Sequence, residues 1–75
     1  MYKLSDVQFF DSNTQPLGRV VEHPLYPSGE LIRTSDIMLY NKKDQFFVTS
    51  NNSVYFVESF FDGLSKRKME SFSDE

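Results

Sequence analysis

Apolar residues fill the stretch from Ile37 to Val57 in three short blocks. IMLY (37–40) is followed by NKKDQ, FFVT (46–49) by SNNS, and VYFV (54–57) closes the run. Blocks rich in aromatic and β-branched residues, separated by Asn, Asp and Ser, predict three strands joined by tight turns. A four-residue loop at 41–44 and a two-residue turn at Asn51-Asn52, where Asn tolerates positive φ, set the register. Alternation along each strand then puts Ile37, Leu39, Phe46, Val48, Tyr55 and Val57 on one face. The other face carries Met38, Tyr40, Phe47, Thr49, Val54 and Phe56. Both faces are apolar, whereas a sheet exposed on one side alternates apolar with polar. The first face reads as the core, filled in by Val7, Phe9, Val20 and Ile32. The second needs a cover, from the C-terminal segment or from a second subunit.

Upstream the pattern is weaker. Val7 to Phe10 suit a strand at 6–10, although Leu4, Val7 and Phe9 keep no single period. DSNTQPLG (11–18) is dense in turn formers. Arg19-Val20-Val21-Glu22 reads as a short strand that stops before His23-Pro24, since Pro has no N–H to give. HPLYPSG (23–29) is a loop stiffened by its prolines. Glu30 to Thr34 suit another strand, and Thr34-Ser35-Asp36 a turn.

From Ser59 the period changes, and a short helix is expected within 59–71. Ser59 is its candidate N-cap, with Asp62 three residues on. Lys66, Arg67 and Lys68 fall late, where cations suit the helix dipole. Phe60, Phe61 and Leu64 would share one side. Ser73-Asp74-Glu75 reads as a frayed tail. The expected fold is one domain over 1–75, mainly β: a small antiparallel sheet or open barrel of five to six strands with one short C-terminal helix.

Composition narrows the chemistry. Cysteine is absent and His23 is the one histidine, which excludes disulfides, thiolate metal sites and a His-based metal site within one chain. Gly18, Gly29 and Gly63 stand alone, so no Gly-rich loop cradles a phosphate, and no cofactor is expected. Eleven acidic residues against eight basic ones, net charge -3, argue against nucleic-acid binding, although Lys42-Lys43 and Lys66-Arg67-Lys68 are local basic clusters. No apolar run approaches a membrane span and the N-terminus has no apolar signal core, so a cytoplasmic protein is expected. A chain of 75 residues buries only about 60–65% of its unfolded surface. With disulfides and metals excluded, a partner subunit is the remaining support, and a homodimer or larger assembly is expected.

His23 is the one general-base candidate near neutral pH. No nucleophile signature accompanies it, and its plainer role is to hydrogen-bond the backbone of its proline-bracketed loop. With Arg19, Tyr26 and Arg33 it forms the alternative candidate, a small-ligand or nucleotide site at a subunit interface. The leading candidate is the second sheet face, with Met38, Tyr40, Phe47 and Phe56 as protein-binding residues, because interfaces are enriched in Tyr, Phe and Met.

The run GRVVEHPLYPSGELIRTSDI (18–37), followed by FVTSNNSVYFV (47–57), resembles a pattern in small bacterial and phage proteins. There a Gly-x-Val strand leads to His-Pro, a Gly turn, a Thr-Ser pair and a closing hairpin. The resemblance implies an all-β domain with an accessory role and carries over no site residues. Together these readings point to a non-enzymatic protein-interaction module, of which a phage or mobile-element inhibitor of a host system is the most concrete form.

Overall fold

The structure, a computed structural model, describes residues 2–10 and 12–73. Six strands form one sheet: β1 (Tyr2–Gln8), β2 (Leu17–Val21), β3 (Leu31–Arg33), β4 (Ile37–Asn41), β5 (Phe46–Thr49) and β6 (Val54–Val57). One helix, α1 (Gly63–Glu70), follows. The strand order is β3-β2-β1-β6-β5-β4, and the sheet does not close. All neighbours are antiparallel except β1 and β6, which run parallel, so the sheet is mixed. The mainly β class with one short C-terminal helix agrees with the expectation from sequence.

Chain connectivity makes the sheet curl. Its edge strands β3 and β4 are consecutive in the chain, joined only by Thr34-Ser35-Asp36. A flat sheet of this width would hold its edges about 24 Å apart, five spacings of about 4.8 Å. That link reaches only about 14 Å. The edges must therefore approach, with an inner concave face as core and an outer convex face. Residues 14–16 lie along the link: Thr34 N donates to Pro16 O and Ile37 N to Thr14 O, each at 2.9 Å.

Two irregularities set which residues enter the core. In β1, Ser5 faces Arg19 but Gln8 faces Leu17, one residue too many. Asp6 takes up the surplus in the left-handed region, φ 51, as a bulge. Leu4 and Val7 are therefore both fully buried at a spacing of three. This corrects the expected strand at 6–10: β1 begins at Tyr2, and the bulge broke the period that would have revealed it. In β4, an irregularity between Ile37 and Leu39 likewise turns both Ile37 and Tyr40 inward and throws Met38 out. The core cluster is Leu4, Val7, Val20, Ile37, Tyr40, Phe47, Tyr55, Val57 and Met69.

The β5–β6 connection corrects the predicted register. Val48 faces Val54, Phe47 faces Tyr55 and Phe46 faces Phe56. The loop is Ser50-Asn51-Asn52, closed by Thr49 N donating to Ser53 O at 3.0 Å. Only Asn52 has positive φ, at 65. That is a type I turn followed by one left-handed residue, whereas a two-residue type I′ turn needs two. Asn51 Oδ1 fixes this form by accepting from the Thr49 hydroxyl and from Ser53 N. In the β4–β5 hairpin the loop is 42–45, with Gln45 at φ 57, and Asn41 faces Phe46. That shift of two positions leaves the faces of β4 and β5 matched. The single-residue slip at Asn52 does not, and it exchanges the sides of β6.

The helix begins at Asp62, not Ser59. Asp62 Oδ1 accepts from Ser65 N at 2.8 Å, and these bonds hold its carboxyl below the ordinary range. Ser59 serves the β1 bulge instead, its hydroxyl accepting from Asp6 N at 3.0 Å. Met69 and Ser65 face inward, while Phe61 and Leu64 are exposed, contrary to the expected apolar side. After the helix, Phe72 O accepts from Tyr40 N at 3.2 Å and Ser73 bridges to Tyr40, covering the β4 edge. Ser73 is thus paired rather than frayed, and Asp74 and Glu75 lie outside the described residues.

At Gly18, β2 packs tightly against β1. A Cβ there would lie 3.0 Å from Leu4 Cβ, 3.1 Å from Leu4 Cδ1 and 3.3 Å from Ser5 O. Gly18→Ala must push the two strands apart, at a cost of about 1–3 kcal/mol as overpacking. Its urea midpoint should fall accordingly, and an unchanged midpoint would mean the strands are less tightly apposed.

Candidate interaction surface

The outer face of β4, β5 and β6 can be mapped by register. Leu39, Val48 and Val54 make one row, and Asn41, Phe46 and Phe56 the next. Lys3 and then Val21 continue that second row across β1 and β2. Leu39, Phe46, Val48, Val54 and Phe56 are all half-buried and none belongs to the core cluster or packs against it. Met38, thrown out by the β4 irregularity, is 65% exposed beside them. The rings of Phe46 and Phe56 meet edge-to-face with centroids 5.7 Å apart. Beyond Phe56 the face is mixed, with Lys3 and Val21 continuing its row and Ser5, Arg19 and Leu31 forming the next. The helix covers none of this, because Met69 enters the concave side.

The predicted protein-binding residues therefore divide. Met38 and Phe56 lie on the outer face. Tyr40 and Phe47 do not: they are buried in the core, Phe47 at 0% exposure and stacked on Tyr55 at 5.3 Å. The cause is the three-residue loop and the β4 irregularity, which turn these rings inward. Burial raises the Tyr40 phenol above its ordinary value, with the nearby Glu70 charge adding to it. Burial raises Tyr55 too, against a lowering hydrogen bond with Ser53. Both phenols therefore sit neutral inside the sheet at pH 7. The outer residues that sequence reasoning left off the binding surface are Leu39, Phe46 and Val48, which it placed on the core face; Val54 was on the expected binding face but not named among its binding residues. The signal that could have found them is Asn51, whose side chain bonds the turn from within and favours the longer loop.

The alternative set, Arg19, His23, Tyr26 and Arg33, does not converge. His23 stacks on Tyr2 at 4.1 Å and touches Tyr26 at 4.9 Å. Its Nδ1 accepts from Leu25 N at 3.0 Å, which holds the loop and fixes the proton on Nε2 while neutral. Arg19 donates to Gly29 O at 2.9 Å, and its Nε lies 3.8 Å from Asp6. Arg33 faces Leu17, at the end of the β2–β3 ribbon away from the loop. Among the described residues no hydroxyl hydrogen-bonds to His23 in these contacts. Tyr2, an aromatic neighbour the sequence did not mark, joins this cluster through the β1–β2 pairing, in which Lys3 faces Val21 and brings Tyr2 beside the start of the His23 loop.

Among the described residues no helix is long and apolar enough to cross a membrane. No protein-family model, curated protein or solved structure matches the chain. The surfaces themselves are what a functional reading has to rest on.

Proposed function

We propose that this chain is a non-enzymatic, cytoplasmic protein-interaction module whose contact surface is the outer face of β4–β6. One observation carries the reading: Leu39, Phe46, Val48, Val54 and Phe56 are contiguous, apolar and outside the core, with Met38 projecting beside them. An antiparallel sheet with one solvated face normally carries polar residues there. A contiguous apolar patch on a small soluble domain is the usual mark of an interface. The occupant is a protein partner, either a second copy of the chain or a larger protein. The resemblance of the 18–57 run narrows the larger protein to a host component that a phage or mobile-element product inhibits.

The test uses the double variant Phe46→Glu, Phe56→Glu. Both side chains point away from the core, so circular dichroism and the urea transition should keep their wild-type form. Wild-type chain should self-associate in sedimentation equilibrium or retain a partner from extract, and the double variant should do neither. Association that survives the double substitution in a folded chain contradicts the reading.

A further inference from the structure

Beside the apolar face a cavity of about 320 Å³ opens at the end of β1, β2 and β6. Tyr2, Lys3, Val21, Glu22 and Phe56 line it. Register explains the grouping: Val21 faces Lys3 across β1–β2, and Lys3 faces Phe56 across β1–β6, all on the outer side of the sheet. Val21 and Phe56 supply apolar walls. Lys3 and Glu22 supply one cation and one anion, both exposed, with no ion pair between them. Glu22 leaves β2 in the left-handed region, φ 54, and its amide donates to the Ser28 hydroxyl at 3.4 Å. The chain thus turns away from β1 at the residue that would otherwise continue the strand beside it.

Opposite charges that line one cavity over apolar walls complement a molecule carrying an ammonium, a carboxylate and an apolar group together. The cavity lies at the lower end of the size range for small-molecule sites, about 300–1,000 Å³. We propose that it binds a free α-amino acid with an apolar side chain. The ligand ammonium meets Glu22, its carboxylate meets Lys3, and its side chain lies against Val21 and Phe56. Charge-assisted hydrogen bonds orient the ligand and the apolar walls select its side chain. This site shares Phe56 with the interaction surface proposed above, but the residues that give it its charges and its second apolar wall, Lys3, Glu22 and Val21, lie off the β4–β6 patch.

Amide NMR titration of the whole chain tests it with L-leucine and L-phenylalanine as probes. Leucine amide and N-acetyl-leucine, each lacking one of the two charges, are the controls. Saturable shifts are expected at Lys3, Val21, Glu22 and Phe56, with binding about tenfold weaker or worse for either control. Lys3→Met should erase the discrimination between leucine and leucine amide, and Glu22→Gln that between leucine and N-acetyl-leucine. Both variants should remain folded, because both side chains are exposed. Absence of saturable shifts at these residues, equal binding of the controls, or discrimination that survives both substitutions would overturn the proposal.

Discussion

Phe47→Ala should abolish most of the stability of the fold, while Phe46→Ala, one residue earlier, should leave a cooperative transition near the wild-type midpoint. Phe47 is fully buried at the centre of the cluster, stacked on Tyr55 and paired across the sheet with both Tyr40 and Tyr55. Truncating such a ring costs about 3–5 kcal/mol, through lost transfer energy and the cavity left behind. A chain of 75 residues has roughly 4–11 kcal/mol in total, so the variant keeps little. Phe46 loses mainly its edge-to-face contact with Phe56, about 1 kcal/mol. Urea denaturation of the two variants, followed by far-ultraviolet circular dichroism, measures the contrast. Similar losses at both positions would mean that neither face is solvent-facing, and a reversed order would exchange the faces.

The second large effect is at Met69. An isolated helix the length of α1, eight residues, is too short to persist in water. Its Asp62 cap and late cations help, but packing must hold it. Met69 is its fully buried apolar side chain, and Phe72 N donates to Met69 O at 3.0 Å just before Phe72 O accepts from Tyr40 N. Met69 therefore anchors both the helix and the segment that covers the β4 edge. Met69→Ala should cost about 2–5 kcal/mol, and it should also speed hydrogen exchange at the Tyr40 amide. Leu64→Ala, on the exposed side of the same helix, should do neither. If Leu64→Ala proves the more damaging of the two, the helix is rotated from the orientation described.

Much of this fold was legible because it is local. The blocks at 37–40, 46–49 and 54–57 became β4, β5 and β6 with small changes of boundary, and the helix fell within 59–71. What was hidden has physical causes. The parallel pairing of β1 with β6 joins residues more than fifty positions apart, and no local pattern encodes it. The bulge at Asp6 places Leu4 and Val7 on one side at a spacing that suits neither strand nor helix. Around Asn51-Asn52 two turns compete, and a difference of one residue in loop length moves Tyr55 and Val57 from one face to the other relative to β5. That both faces of the hairpins are apolar survived the slip, because the sequence is apolar on both. Which residues belong to the interaction surface did not survive it: Tyr40 and Phe47 went inside, while Phe46 and Val48 came out. The cavity lined by Tyr2, Lys3, Val21, Glu22 and Phe56 was out of reach because the expected first strand began only at residue 6, and Phe56 joins the cavity only through the parallel pair.

The placement of Phe46, Val48, Val54 and Phe56 on the outer face depends on the β5–β6 register, and cross-strand Hα–Hα contacts in the NMR spectrum read that register directly. Bonds from Thr49 N to Ser53 O and from Val57 N to Gln45 O make 49/53 and 45/57 hydrogen-bonded pairs, so 48/54 and 46/56 are the closely spaced pairs between them. Strong Hα–Hα contacts are predicted between Val48 and Val54 and between Phe46 and Phe56. Contacts between Thr49 and Val54 or between Phe47 and Phe56 would restore the two-residue turn and contradict the outer face described here.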